Sequence, residues 1–304
     1  MTDGAGTRMV PVSTTAGEFR VWTRQAGESA TTKVLLLHGG PGATHEYLLA
    51  LEEPLVAAGM EVWFYDQLGS HHSDQPDDPS LWEIPRFVDE VEQVRVALGF
   101  DRDDFVLYGQ SWGGVLALEY ALAHQQHLKG LVVSNMMSSG PAYNEYAEQV
   151  LMPTMDQDVL AEIKRMEAAG DTGTAYEELL MEHHYVHHVL RRPADQWPAE
   201  AVATLAHINH DIYVPLQGPS ELGISGKLLH WDRSDDLARI SVPTLVIGAQ
   251  HDTMDPQHLR WMAGELPQGS YLHCPDGSHM AMLDDHDVYV AGLLGFLRDL
   301  EADR

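Results

Sequence analysis

The sequence predicts an α/β protein with a mostly parallel sheet, covered by helices on both faces and interrupted by one long helical insertion. Two observations carry this. Short apolar, β-branched runs alternate with helix-patterned stretches in the first half of the chain and again after residue 240, as in a parallel sheet with helical crossovers. Between about Ser138 and Asp236, by contrast, no apolar strand run occurs.

In chain order, residues 34–37 predict a strand ending at His38-Gly39-Gly40-Pro41-Gly42, and residues 61–65 one ending at Asp66-Gln67-Leu68-Gly69. Residues 105–108 run into Gly109, a helix follows over about 115–124, and 131–134 is the next strand. The insertion is helical in pattern over 145–151, 159–169, 176–189 and 199–210. Strands return at 243–248 and 270–273, and 288–300 predicts a closing helix. The simplest division is one core, residues 1–137 and 239–304, with residues 138–238 as a helical cap. Caps of this kind exclude water and shape specificity.

The chain has 304 residues, 44% of them hydrophobic, enough to bury a large core. Its net charge of −28 argues against nucleic acid or an anionic membrane as partner, since both need clustered Lys and Arg. The single cysteine, Cys274, excludes an intrachain disulfide and suits a reducing compartment. Residues 1–12 are polar, without the basic lead and apolar run of a secretory signal. No run of 18 apolar residues occurs, so no transmembrane helix is expected and a cytoplasmic location is.

Tyr108-Gly109-Gln110-Ser111-Trp112-Gly113-Gly114 places a G-x-S-x-G motif between a predicted strand and a predicted helix. A sharp strand-to-helix turn lifts the Ser111 hydroxyl above the sheet, and the flanking glycines avoid collisions with neighbouring backbone. The turn leaves the Trp112 N–H at a helix N-terminus, where it can stabilise an oxyanion. His38-Gly39-Gly40-Pro41-Gly42 follows an earlier strand, where this α/β-hydrolase arrangement supplies its second donor, here the Gly40 N–H. The acid and base should follow in the order Asp, His. Asp252 lies in the loop after the 243–248 strand, with Asp255 as an alternative that suits a helix cap better. His279 lies in the Gly-containing loop after the last strand. Ser111 is then the nucleophile, His279 the base and Asp252 the group that orients it.

His183, His184, His187 and His188 form i, i+4 couples on a predicted helix. Two such histidines can bind a metal, but no third ligand is evident. Partly exposed cap histidines are the expectation, with no metal and no cofactor.

His38-Gly39-Gly40-Pro41-Gly42, Asp66-Gln67-Leu68-Gly69, Gly109-Gln110-Ser111-Trp112-Gly113-Gly114, and Gly218-Pro219-Ser220-Glu221 followed by Trp231-Asp232 resemble the proline iminopeptidase family. The likeness spans nearly the whole chain. It implies an α/β-hydrolase fold with eight strands, a cap after the sixth strand, and no cofactor. It also implies removal of an N-terminal residue, often proline, from small peptides or amides with a free amino terminus. Cap carboxylates in that family hold the substrate's α-ammonium group, and the matching position here is Glu221. Family members commonly carry a second Glu directly after the triad Asp, where this chain has Thr253. Asp255 or Glu145 would then complete the amine site, or the need for a free amino terminus is looser. Tyr143, Tyr146, Met152, Tyr185 and Tyr213 suit either a greasy pocket or an ordinary core.

Two further readings stand beside this one. The same machinery can serve an esterase, an acyltransferase, or a hydrolase that trims an aminoacyl group from a non-peptide amide. A binding protein built on a dead hydrolase is disfavoured by the complete Ser111, His279 and Asp252 set.

Overall fold

The computed structural model describes residues 6–29 and 31–302. Residues 1–5, 30, 303 and 304, which fall within the predicted core spans and the polar start, lie outside the described residues.

The strands are β1 (Thr7–Thr14), β2 (Gly17–Ala26), β3 (Lys33–Leu37), β4 (Glu61–Asp66), β5 (Phe105–Gln110), β6 (Gly130–Ser134), β7 (Thr244–Ala249) and β8 (Gly269–Cys274). They form one sheet in the order β1-β2-β4-β3-β5-β6-β7-β8. The pairs β1/β2 and β2/β4 are antiparallel and all the others parallel. The mostly parallel, eight-stranded sheet is therefore the expected one. The β1–β2 hairpin escapes a search for apolar runs because it lies at the sheet edge and alternates buried with exposed side chains.

Alternation along the central strands divides the core between the two faces. Leu35, Leu37, Tyr65, Leu107 and Val133 join one apolar cluster, and Leu36, Phe64, Val106, Val132 and Ile247 join the other. The first face is covered by α2 (Ile84–Leu98), α3 (Trp112–His124) and α10 (Pro256–Glu265), through Phe87, Val115 and Leu259 among others. The second is covered by α1 (Glu52–Ala57), the short α11 (Ala281–Asp284) and α12 (His286–Ala302), through Leu55, Met282 and Leu293.

Between β6 and β7 the described chain is helical: α4 (Gly140–Tyr146), α5 (Gln157–Ala169), α6 (Thr174–Leu180), α7 (Val186–His188), α8 (Ala199–Ala206) and α9 (His210–Leu216). Two π-helical turns, Ala147–Leu151 and Met181–Tyr185, extend α4 and join α6 to α7. The helix expected over 199–210 is two helices, because the Asn209 side chain accepts from the Asp211 N–H and starts α9 anew. The two ends of the insertion are tied together: Gly140 N–H donates to the Trp231 carbonyl and Arg233 N–H to the Ser138 carbonyl, both at 2.8 Å. The Trp231 indole and the Arg233 guanidinium meet on Glu119 of α3. Met155, Leu160, Ile163, Met166, Tyr176 and Leu222 form a separate apolar cluster within it.

Candidate active site

The site lies where the carboxyl ends of β3, β5, β7 and β8 meet the insertion, the usual ligand position in open α/β sheets. Ser111 sits at φ 56° and ψ −126° between β5 and α3. That is costly backbone for a residue with a side chain. It persists because the flanking glycines leave no slack. A Cβ on Gly109 would drive into the Gly113 carbonyl, and one on Gly113 into the Leu37 carbonyl of β3, both well inside 3.0 Å.

The β3 loop comes up against this turn. A Cβ on Gly39 would stand 3.0 Å from Ser111 Cβ. The Gly39 N–H donates to Tyr47 Oη at 2.8 Å, and Tyr47 in turn donates to Gln110 Oε1 at 2.5 Å. Gln110 Nε2 then donates to the His279 carbonyl at 2.9 Å. One chain of hydrogen bonds thus links the loop after β3, the serine turn and the histidine loop. Gln67 braces the other side: its N–H donates to His38 Nε2, and its Oε1 accepts from the Trp112 indole at 2.8 Å. His38 therefore carries its proton on Nδ1, which donates to the Gly39 carbonyl, and burial holds its pKa below the ordinary value. Among the described residues the N–H groups of Gly40 and Trp112 have no partner.

His279 Nδ1 donates to Asp252 Oδ1 at 2.7 Å, with both residues buried. Asp252 Oδ2 accepts from Asn135 Nδ2 at 2.6 Å. Burial opposes a charge on His279, but the Asp252 carboxylate, seconded by Glu221, outweighs it and raises the pKa. With Nδ1 committed to Asp252, Nε2 is left as the basic nitrogen. The His279 N–H itself donates to the His188 carbonyl at 2.9 Å, pinning this loop to α7. The Ser111 hydroxyl makes no hydrogen bond with the imidazole among the described residues. Such a bond is commonly long in a free enzyme and tightens only with substrate bound.

Glu221 comes down from the insertion beside this pair. Its Oε1 accepts from Tyr213 Oη, and its carbonyl from Tyr143 Oη, both at 2.6 Å. Burial raises its carboxyl pKa, opposed by the charge of His279. Of the aromatic and Met residues left open between pocket and core, Tyr143 and Tyr213 thus hold Glu221, while Met152 packs on the insertion's own apolar cluster. Thr253 is buried, with Oγ1 3.3 Å from both Asp252 Oδ1 and His279 Nδ1. Both acids expected to stand in for a second Glu already accept a hydrogen bond elsewhere. Asp255 caps α10 by accepting from the Gln257 N–H, and Glu145 is exposed and bonded to Gln149.

The four cap histidines need a correction. His184 is fully buried, not partly exposed, because the π-helical turn swings it inward. Among the described residues, the groups whose ligand atoms converge within 4.8 Å are His45 with Asp66 and His72, and Glu92 with His124 and His127. In the first group, both imidazole Nδ1 atoms are already taken up by the two Asp66 oxygens.

A family model described as the alpha/beta hydrolase fold matches residues 32–286. The proline iminopeptidase of Flavobacterium johnsoniae is 48% identical over 97% of this chain and 99% of its own length. This chain belongs to the proline iminopeptidase family. A solved proline iminopeptidase of Mycobacterium smegmatis superposes with TM-score 0.85 at 28% identity, covering 98% of this chain and 99% of its own. The structure of VinJ gives 0.88 at 32% identity, covering 96% and 99%. In this proline iminopeptidase relative, Tyr47, Gln67, Gln110 and Asn135 carry the framework of the site, and none was read from sequence as a site residue. Gln67 and Gln110 stand inside quoted motifs and could have been; Tyr47 and Asn135 carry no local signal. Among the described residues no helix is long and apolar enough to cross a membrane.

Proposed function

We propose that the protein is a serine aminopeptidase that removes an N-terminal proline, or another small N-terminal residue, from short peptides or amino-acid amides. Ser111 attacks the carbonyl, His279 takes its proton through Nε2 and returns it to the leaving amine, and Asp252 holds the imidazole and stabilises its charged form. The N–H groups of Gly40 and Trp112 receive the oxyanion, a contact of the kind worth about 3 kcal/mol each in rate. Residues 138–238 act as the cap over the core at 1–137 and 239–304.

One observation carries the reading. A half-buried carboxylate, Glu221, lies within electrostatic reach of His279 and Asp252 from the cap. A carboxylate drawn partly out of water gains from a paired cation, and the α-ammonium of a bound peptide supplies one. Membership of the proline iminopeptidase family supports the same substrate class.

The test is turnover of proline β-naphthylamide against its N-acetylated form. The free amine should be cleaved and the blocked one barely. Equal rates would sink the aminopeptidase reading. A second reading, release of an aminoacyl group from a larger non-peptide amide, is favoured by Thr253, whose hydroxyl adds no charge beside the triad. Aminoacyl amides of bulky non-peptide amines, compared with short peptides carrying the same N-terminal residue, would separate the two.

A further inference from the structure

Behind Asn135 runs a buried chain of hydroxyls that reaches the closing helix. The Tyr108 and Tyr289 hydroxyls lie 2.5 Å apart, and Tyr289 Oη lies 2.7 Å from Ser134 Oγ. Ser134 Oγ donates to Asn135 Oδ1 at 2.7 Å, and Asn135 Nδ2 donates to Asp252 Oδ2 at 2.6 Å. All of these residues are buried. They join β5, α12, the end of β6 and the loop after β7.

Each hydroxyl has one proton to give, and that fixes the direction of the chain. The Asp252 carboxylate only accepts, so the Asn135 amide faces it with Nδ2 and turns Oδ1 to Ser134. Oδ1 also only accepts, so it takes the Ser134 proton. Ser134 must then accept from Tyr289, and Tyr289 from Tyr108. The reverse order would end on Tyr108, whose hydroxyl has no second partner among the described residues. Every proton therefore points toward the triad acid. Aligned bonds of this kind polarise and strengthen one another in a buried setting. Burial also raises both phenol pKa values, so the two donors stay protonated through neutral pH.

We propose that Tyr289, with Tyr108 behind it, is a positioning residue for the reaction: it fixes which end of the Asn135 amide meets Asp252. The inference rests on the Ser111, His279 and Asp252 triad of the proposed function and extends the support of that triad to α12. The last torsion of an Asn side chain is soft. Turned over, Asn135 would set Oδ1 against the Asp252 carboxylate, and the grip on the acid would become a repulsion. The Ser134 proton prevents this, and Tyr289 keeps that proton on Oδ1 by donating to Ser134 from the other side. Without the Tyr289 hydroxyl, Ser134 is free to accept from a turned amide.

A double-mutant cycle of Tyr289→Phe with Asn135→Ala separates this role from a structural one. It is read by kcat and KM on proline β-naphthylamide and by the rate of fluorophosphonate labelling at Ser111. Urea melts first confirm that each variant folds, and Ser134→Ala takes the place of Tyr289→Phe in the cycle where it does not. Tyr289→Phe should lower kcat and the labelling rate about threefold to tenfold, the size of one ordinary hydrogen bond, with KM nearly unchanged. In the Asn135→Ala background the same change should cost nothing further, because the amide through which it acts is gone. Tyr108→Phe should act in the same direction and more weakly. The proposal is overturned if Tyr289→Phe keeps full kcat and labelling rate, or if it slows Asn135→Ala as much as it slows wild type. A wild type whose labelling survives Ser111→Ala would remove the triad reading, and the proposal with it. One labelled at Ser111 that leaves the proline substrate uncleaved would remove the aminopeptidase reading alone, and the labelling rates would still decide the cycle.

Discussion

Asn135 Nδ2 donates to Asp252 Oδ2 across 2.6 Å, so the carboxylate that holds His279 through Oδ1 is itself held through its other oxygen. The same amide also reaches the Ser278 carbonyl at 3.2 Å, one residue before the base. Asn135 can do both because it leaves β6 at φ 51°, a left-handed conformation that Asn tolerates better than most residues. Its own Oδ1 accepts from the Ser134 hydroxyl, which fixes the direction of the amide.

Removing this grip should slow the reaction more than it weakens binding. Asn135→Ala is expected to lower kcat about tenfold to a hundredfold, as for losing a hydrogen bond to a charged group. KM for proline β-naphthylamide should change little. Asn135→Asp should be worse than Ala, because it sets a second carboxylate against Asp252. Steady-state kinetics on the two variants check the order, and equal rates for all three proteins would show that Asp252 needs no such support.

Activity should rise with pH through an acid limb set by His279. The base must be neutral to accept the Ser111 proton, and Asp252 with Glu221 raises its pKa above the ordinary imidazole value. The limb should therefore lie above pH 6.5, the unperturbed histidine value. Glu221→Gln deletes one of the anions that favour the imidazolium, so the pKa falls and the limb moves to lower pH. The same change should raise KM far more than it lowers kcat, since the ammonium contact exists in ground and transition states alike. A pH–rate profile of kcat/KM for both proteins tests the direction.

The serine turn is the place where fold and chemistry share the same residues. Gly113→Ala should destabilise the protein by at least about 1–3 kcal/mol, the usual range for overpacking, because its Cβ meets backbone of β3 that cannot swing aside. Gly264→Ala, on the exposed face of α10 with open space around it, serves as the control and should be neutral or mildly stabilising. Urea melts of the two variants make the comparison.

These cases show which parts of the site could be read in advance. That Ser111, Asp252 and His279 stand in the loops directly after β5, β7 and β8 was legible because the flanking strands are local in sequence. The hairpin β1–β2 was not, since half of its side chains face solvent and leave no apolar run. Asn135 and Tyr47 were not legible because each acts on a partner far along the chain, at Asp252 and Gln110. The burial of His184 was hidden for another reason. Four histidines within six residues look alike until a π-turn assigns one of them to the interior.

Tyr47 offers the sharpest test of how the oxyanion loop is held. Its hydroxyl accepts from the Gly39 N–H and donates to Gln110 Oε1, and both bonds are buried. Tyr47→Phe keeps the ring and its packing but leaves the Gly39 N–H without its acceptor, at a cost of about 1–3 kcal/mol in stability. The freed loop then no longer holds Gly40 in place against Ser111, so oxyanion stabilisation should fall as well. Loss of a contact made only in the transition state lowers kcat and leaves KM nearly unchanged. The expected drop is about tenfold, short of the hundredfold or more for deleting a donor outright, because Gly40 is displaced and not removed. Kinetics together with a urea melt distinguish the outcomes. A stability loss at full kcat would mean that the loop is positioned by Gln67 and His38 alone, and that Tyr47 serves the fold without serving the chemistry.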